Sequence, residues 1–243
     1  MQQKSIFPKW VKERKLKIMK NVLHLLLAGT ILLSMLSMAY QKKQRVVFFG
    51  DSITQAGVEA GGYITKIGEQ LSKKGTAAQY ELLGAGISGN KVYDLYLRLE
   101  SDVLAKNPDI VVIWVGVNDV WHKTSHGTGT DADKFQKFYV AIINKLQAKN
   151  IRVIVTTPAA IGERTDNSNP QDGDLNFYSN IIRRLAKEKG CGLVDLRKTF
   201  LEYNRAHNTA NKESGILTTD RVHLNEAGNT VVAEEMLKAL QAK

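Results

Sequence analysis

The stretch Arg45-Val46-Val47-Phe48-Phe49-Gly50-Asp51-Ser52-Ile53-Thr54 joins an apolar run to a small polar turn. From Val46 to Phe49 nothing polar alternates with the apolar side chains, as expected of a parallel strand covered on both faces. Residues 50–54 read as a strand-to-helix turn, with Gly50 permitting a tight bend. Outward from this point the rhythm recurs. Residues 80–83, 110–115, 151–156 and 193–195 read as further strands. Amphipathic stretches near 63–74, 92–105, 134–149 and 175–189 separate them, and a last helix is expected over about 226–240. Gly75, Asn150 and Gly190 stand where Gly or Asn commonly ends a helix. Five strands alternating with helices imply right-handed crossovers and a parallel sheet between two helical layers. In such sheets, functional groups gather beyond the carboxyl ends of the strands.

Candidate chemistry falls at those ends. Gly50-Asp51-Ser52-Ile53-Thr54 follows the first strand and exposes a serine hydroxyl; a plain turn in which Ser or Asp caps the helix is the competing reading. Gly84-Ala85-Gly86-Ile87-Ser88-Gly89-Asn90 follows the second strand and suits either a flexible turn or a backbone N–H aimed at an oxyanion. Gly116-Val117-Asn118-Asp119 follows the third. Its Asn carboxamide can donate to an oxyanion without carrying charge, or can satisfy a local turn. Asp220-Arg221-Val222-His223 precedes the last helix, where a carboxylate three residues before an imidazole can hold its tautomer. A metal pair is the rival, but no further cluster with ligand spacing accompanies it. A serine hydroxyl needs such a base to become a nucleophile. His122, His126 and His207 lie in polar stretches and read as surface residues.

The four blocks in this order closely resemble the SGNH, or GDSL, hydrolase family over residues 46–240. The first departs from the family name only in Ile53, where the name has Leu. The resemblance implies a three-layer αβα sandwich of flavodoxin type with a five-stranded parallel sheet. It also implies Ser52 as nucleophile, His223 as general base and Asp220 as its orienter. The Ser52 N–H, the Gly89 N–H and the Asn118 side chain would form the oxyanion hole. Family members are esterases, lipases, thioesterases and carbohydrate deacetylases that need neither metal nor cofactor.

The rest of the chain narrows the setting. Hydrophobic residues make up 43% of it, ample for the core of one domain. The net charge of +10 resembles a nucleic-acid signal until it is mapped. Residues 1–40 hold seven Lys/Arg against Glu13, a net +6, which leaves +4 spread over the remainder without a basic stripe. Nucleic-acid binding is therefore not expected. The basic head followed by the apolar run 22–40 reads as a secretory signal, cleaved near 39–41, with Met19 as an alternative start to Met1. An uncleaved membrane anchor is the competing reading. No cysteine in this segment can carry a lipid, and the lone Cys191 reads as a buried, inert thiol.

Segments 121–130, 158–172 and 203–219 should frame the site. They offer Trp121, Arg164, Asn167, Asn169, Tyr203 and Asn208 but only scattered aliphatics such as Ile161 and Ile216. A polar rim suits a small-molecule or glycan ester with a short, acetyl-like acyl group. A lysophospholipase or thioesterase is the runner-up. A silent glycan-binding relative or a tethered scaffold would be non-enzymatic alternatives, yet no triad position is lost.

Overall fold

Five strands form one sheet in the order β2-β1-β3-β4-β5, every neighbouring pair parallel. They are β1 (Gln44–Gly50), β2 (Tyr80–Gly86), β3 (Ile110–Trp114), β4 (Arg152–Thr156) and β5 (Gly192–Val194) in the computed structural model, which describes residues 8–39 and 43–242. This is the flavodoxin-like order, with its switch point between β1 and β3. Every residue of β3 is buried, and so is β1 from Val46 onward. That double burial is what removed alternation from their sequences. Edge strand β2 is only partly buried.

The helices are α1 (Lys9–Ala39), α2 (Ser52–Ala56), α3 (Tyr63–Lys73), α4 (Val92–Asp102), α5 (Val117–Ser125), α6 (Ala132–Gln147), α7 (Asp172–Lys189), α8 (Leu196–His207) and α9 (Glu226–Gln241). Helices α3 and α9 pack together, as do α4 with α6 and α6 with α7, so the sheet lies between helical layers. Its core includes Phe48, Val112, Ile154, Leu95, Ile142 and Leu237.

The chain divides into two units, Met1–Lys42 and Lys43–Lys243. Within the first, α1 exposes its described leucines at 16, 23 and 25–27. Among the described residues no helix is long and apolar enough to cross a membrane. The expected cleavage region runs into residues 40–41, which lie outside the described residues, as does Met1.

Three expectations need correction. Segments 121–130 and 203–219 lie outside every helix expected from the sequence, yet the first is helical through Ser125 and the second opens inside α8, which runs from Leu196 to His207. Strand β2 runs on to Gly86, so Gly84 and Gly86 are sheet residues rather than turn residues. Gly50 makes no positive-φ turn; a Cβ there would collide with the Trp114 carbonyl and the Thr54 hydroxyl, so close approach is what requires glycine.

Candidate active site

Asp51 caps α2 by accepting from the Ile53 amide, and the next residue, Ser52, opens the helix at the end of β1. The cap and the nucleophile candidate are thus neighbours with separate tasks. Ser52 Oγ lies 3.0 Å from His223 Nε2. On the far side of the ring, Nδ1 lies 2.7 Å from Asp220 Oδ2, while Asp220 Oδ1 accepts from the His223 and Val222 amides at 2.8 and 3.1 Å. A carboxylate only accepts, so the ring proton sits on Nδ1 and leaves Nε2 free to accept from the serine. Burial alone would raise the Asp220 carboxyl. The bonds from the His223 ring and the two amides outweigh it and hold Asp220 below the ordinary carboxylate value. The structure thus brings Ser52, His223 and Asp220 together as one linked set.

The oxyanion candidates converge on the same edge. Gly89 has φ +77, a backbone conformation that side chains disfavour, and a Cβ added there would meet open space. The loop bearing it is tied down by Ile87 N–H to the Gly50 carbonyl and Ser88 N–H to the Gln55 side chain. Gly116, at φ +132, starts α5 and sends the buried Asn118 side chain back toward this loop. Its Nδ2 donates to the Asn90 carbonyl at 3.1 Å. A carboxamide has two such hydrogens, so one positions the group and the other remains for a ligand.

Arg98 and Glu163 escaped the sequence reading, and Asp119 was quoted there without a role. Asp119, fully buried, accepts from the Val92 amide and so joins the third block to the start of α4. Burial pushes it up to about 6, and pushes Asp51 up to about 7 with Asp119 adding to the rise. Arg98, on α4, donates to the Gly50 and Ala85 carbonyls and to the Asn90 side chain, binding the ends of β1 and β2 to the second block. Glu163 is buried and receives the Ile216, Leu217 and Thr218 amides, which fixes the segment leading to Asp220. Asp51 and Asp119 were visible inside their motifs; Arg98 and Glu163 carry no local signal.

The expected rim is only partly realised. The Trp121 ring stands 6.4 Å from the His223 ring, with His122 beside it and His126 behind. His122 is half-buried against these rings rather than a free surface residue; His126 and His207 are exposed. Tyr203 lines a different cleft, with Gly215, Ile216 and Glu226, and stacks on His207. Asn169 and Asn208 are buried and hold backbone groups of Arg164, Glu163 and Lys212, so both fix loops. Cys191 is half-buried rather than buried, and burial pushes its thiol up to about 11, which keeps it protonated. Among the described residues no group of three or more His, Cys, Asp or Glu side chains is arranged to hold a metal.

Residues 48–231, which span all four blocks, match the model of the GDSL-like lipase/acylhydrolase family. The chain belongs to that family. This GDSL-like chain is accordingly a serine carboxylic-ester hydrolase, and its fold is shared closely with solved relatives. It superposes on the crystal structure of an acetyl xylan esterase, AlAXEase, with TM-score 0.80 and 67% identity, over 81% of this chain and 99% of that one. It is 28% identical to an acetylxylan esterase of Geobacillus stearothermophilus over 81% of this chain and 94% of the relative. It is 27% identical to the uncharacterized lipoprotein YqeF of Bacillus subtilis (strain 168), over 78% and 86%.

Proposed function

We propose that this hydrolase removes acetyl groups from a carbohydrate through an acyl-enzyme on Ser52. The observation that carries the reading is the continuous contact from Ser52 Oγ through His223 to Asp220, at 3.0 and 2.7 Å. His223 Nε2 takes the serine proton as Oγ attacks the ester carbonyl. The oxyanion that forms is met by the Ser52 and Gly89 N–H groups and the second Asn118 hydrogen. Collapse expels the sugar alcohol, protonated by His223. A water, deprotonated by the same ring, then releases acetate and restores the serine. Asp220 steadies the imidazolium in both halves.

The two relatives that carry the name acetylxylan esterase support acetyl as the acyl group and a sugar as the alcohol. The ring of Trp121 beside His223 suits stacking on a sugar face. Export is supported by the basic head and apolar run of residues 1–40 and by the lipoprotein among the relatives.

A nitrophenyl ester series from acetate to palmitate tests the reading, followed by acetylated xylo-oligosaccharides. The highest kcat/KM is expected at acetate, and Ser52→Ala should lose on the order of a thousandfold or more in kcat with the fold unchanged by circular dichroism. A maximum at about eight to twelve carbons would defeat it, since each buried methylene adds about 0.8 kcal/mol of binding only where an apolar tunnel receives it.

A further inference from the structure

Beside the triad lies a polar cleft of about 560 Å³ whose lining includes Arg164, Arg221, Glu213, Thr124 and Gln171. That volume falls within the ordinary range for a ligand site. Two of its lining residues are chain neighbours of the catalytic edge. Arg221 directly follows Asp220 and precedes His223 by two residues. Thr124 lies one helical turn beyond Trp121, whose ring faces His223. A sugar chain with its acetyl ester at Ser52 would thus extend past these side chains.

The charge of the cleft is unbalanced. Glu213 bridges both guanidiniums, accepting one nitrogen from Arg221 on Oε1 and one from Arg164 on Oε2. Each guanidinium carries five N–H donors, so both retain donors after serving Glu213. Their side chains are 42% and 40% exposed, open to a ligand rather than sealed in the core. Two cations share one anion, and the planar fork of a guanidinium matches a carboxylate. Arg221 sits at φ +84 with its carbonyl fixed by the Gly162 amide, so its backbone is held in place.

From this we infer that the cleft is a subsite for an acidic sugar: the natural acetyl ester belongs to a carbohydrate bearing a carboxylate of the hexuronic type near the acetylated residue. The inference rests on the proposed carbohydrate deacetylation and names its substrate class. Arg164 and Arg221 receive the carboxylate, and Glu213 holds the two guanidiniums at a fixed separation.

The test compares kcat/KM for two acetylated xylo-oligosaccharides, one carrying a glucuronic acid branch and one lacking it, with nitrophenyl acetate as a third substrate. The expected ratio of acidic to neutral oligosaccharide is about tenfold or more, falling in about 0.5 M salt because the contact is solvent-accessible. Arg164→Gln should bring that ratio toward one, and Arg164→Lys should restore part of it. A ratio near one in the unmodified enzyme, or an undiminished ratio in a folded Arg164→Gln variant, overturns the inference and leaves the carbohydrate reading standing. An enzyme that cleaves nitrophenyl acetate but neither oligosaccharide sinks the carbohydrate reading, and the acidic subsite falls with it.

Discussion

One Asn118 hydrogen is committed to the Asn90 carbonyl, and its proposed part in the oxyanion hole falls to the other. A donor aimed at charge that develops only during reaction acts on turnover more than on binding. Asn118→Ala should therefore lower kcat by roughly a hundredfold to a thousandfold with little change in KM. Steady-state kinetics on nitrophenyl acetate reads both constants, and a main effect on KM would make Asn118 a binding residue. Asp51 gives a prediction of another kind. Its carboxyl is pushed from 3.8 up to about 7, chiefly by burial, and Asp119 stands at about 6 for the same reason. The folded state thus binds protons more tightly than the unfolded chain. Their contribution is fully present below about pH 4 and is lost as pH rises through about 6 and 7. Asp51→Asn keeps an oxygen for the Ile53 amide but removes the titration. Its Tm should fall less between pH 5 and pH 8 than that of the parent; an equal fall would assign the loss to other groups. Ser52, Gly89 and Asn118 were legible because each sits in a short motif after a strand, and Asp220 and His223 because they share one motif before α9. Arg98 and Glu163 were not, since their partners are distant in sequence: Arg98 reaches Gly50 from 48 positions away and Glu163 reaches Leu217 from 54.

Helix α2 and strand β2 meet so closely at Gly86 that any Cβ there would enter the backbone of Thr54 and Gln55. Backbone cannot swing aside as a side chain does, so Gly86→Ala should cost about 1–3 kcal/mol and shift the helix that starts at Ser52. Gly84→Ala offers the contrast, because its Cβ would collide only with the half-exposed Val58 side chain. Chemical denaturation should rank Gly86→Ala well below Gly84→Ala in stability, with activity following the same order. Equal stabilities would mean that the close approach is not what requires glycine at 86. Strands β1, β3 and β4 were readable as elements because burial on both faces left unbroken apolar runs. Helix α8 was not. Its buried face consists of Leu196, Arg197, Phe200 and Asn204, so half of the stripe that should announce a helix is polar. Arg197 is tolerated there because Asp172, Asn176 and the Ala159 carbonyl take up its donors. Helix α5 was hidden differently: at nine residues it is short, and its first turn is occupied by the motif itself.

The hydrolase unit begins at Lys43 and contains every residue placed in the site. A chain starting there should keep kcat/KM on nitrophenyl acetate within about twofold of the full-length protein, since small changes of that order are less than 1 kcal/mol. A much larger loss would show that residues 1–42 contribute to the site. Within that unit, Ser52 and His223 touch across 171 positions of sequence. The proposed nucleophile is among the first residues of the hydrolase unit that a ribosome completes, and its proposed base is among the last. Until the segment preceding α9 has been made and docked, Ser52 is an ordinary alcohol with nothing to take its proton. On the proposed mechanism, a half-made, unfolded or C-terminally clipped chain should therefore be hydrolytically silent, with hydrolysis beginning only when the two ends of the hydrolase unit have met.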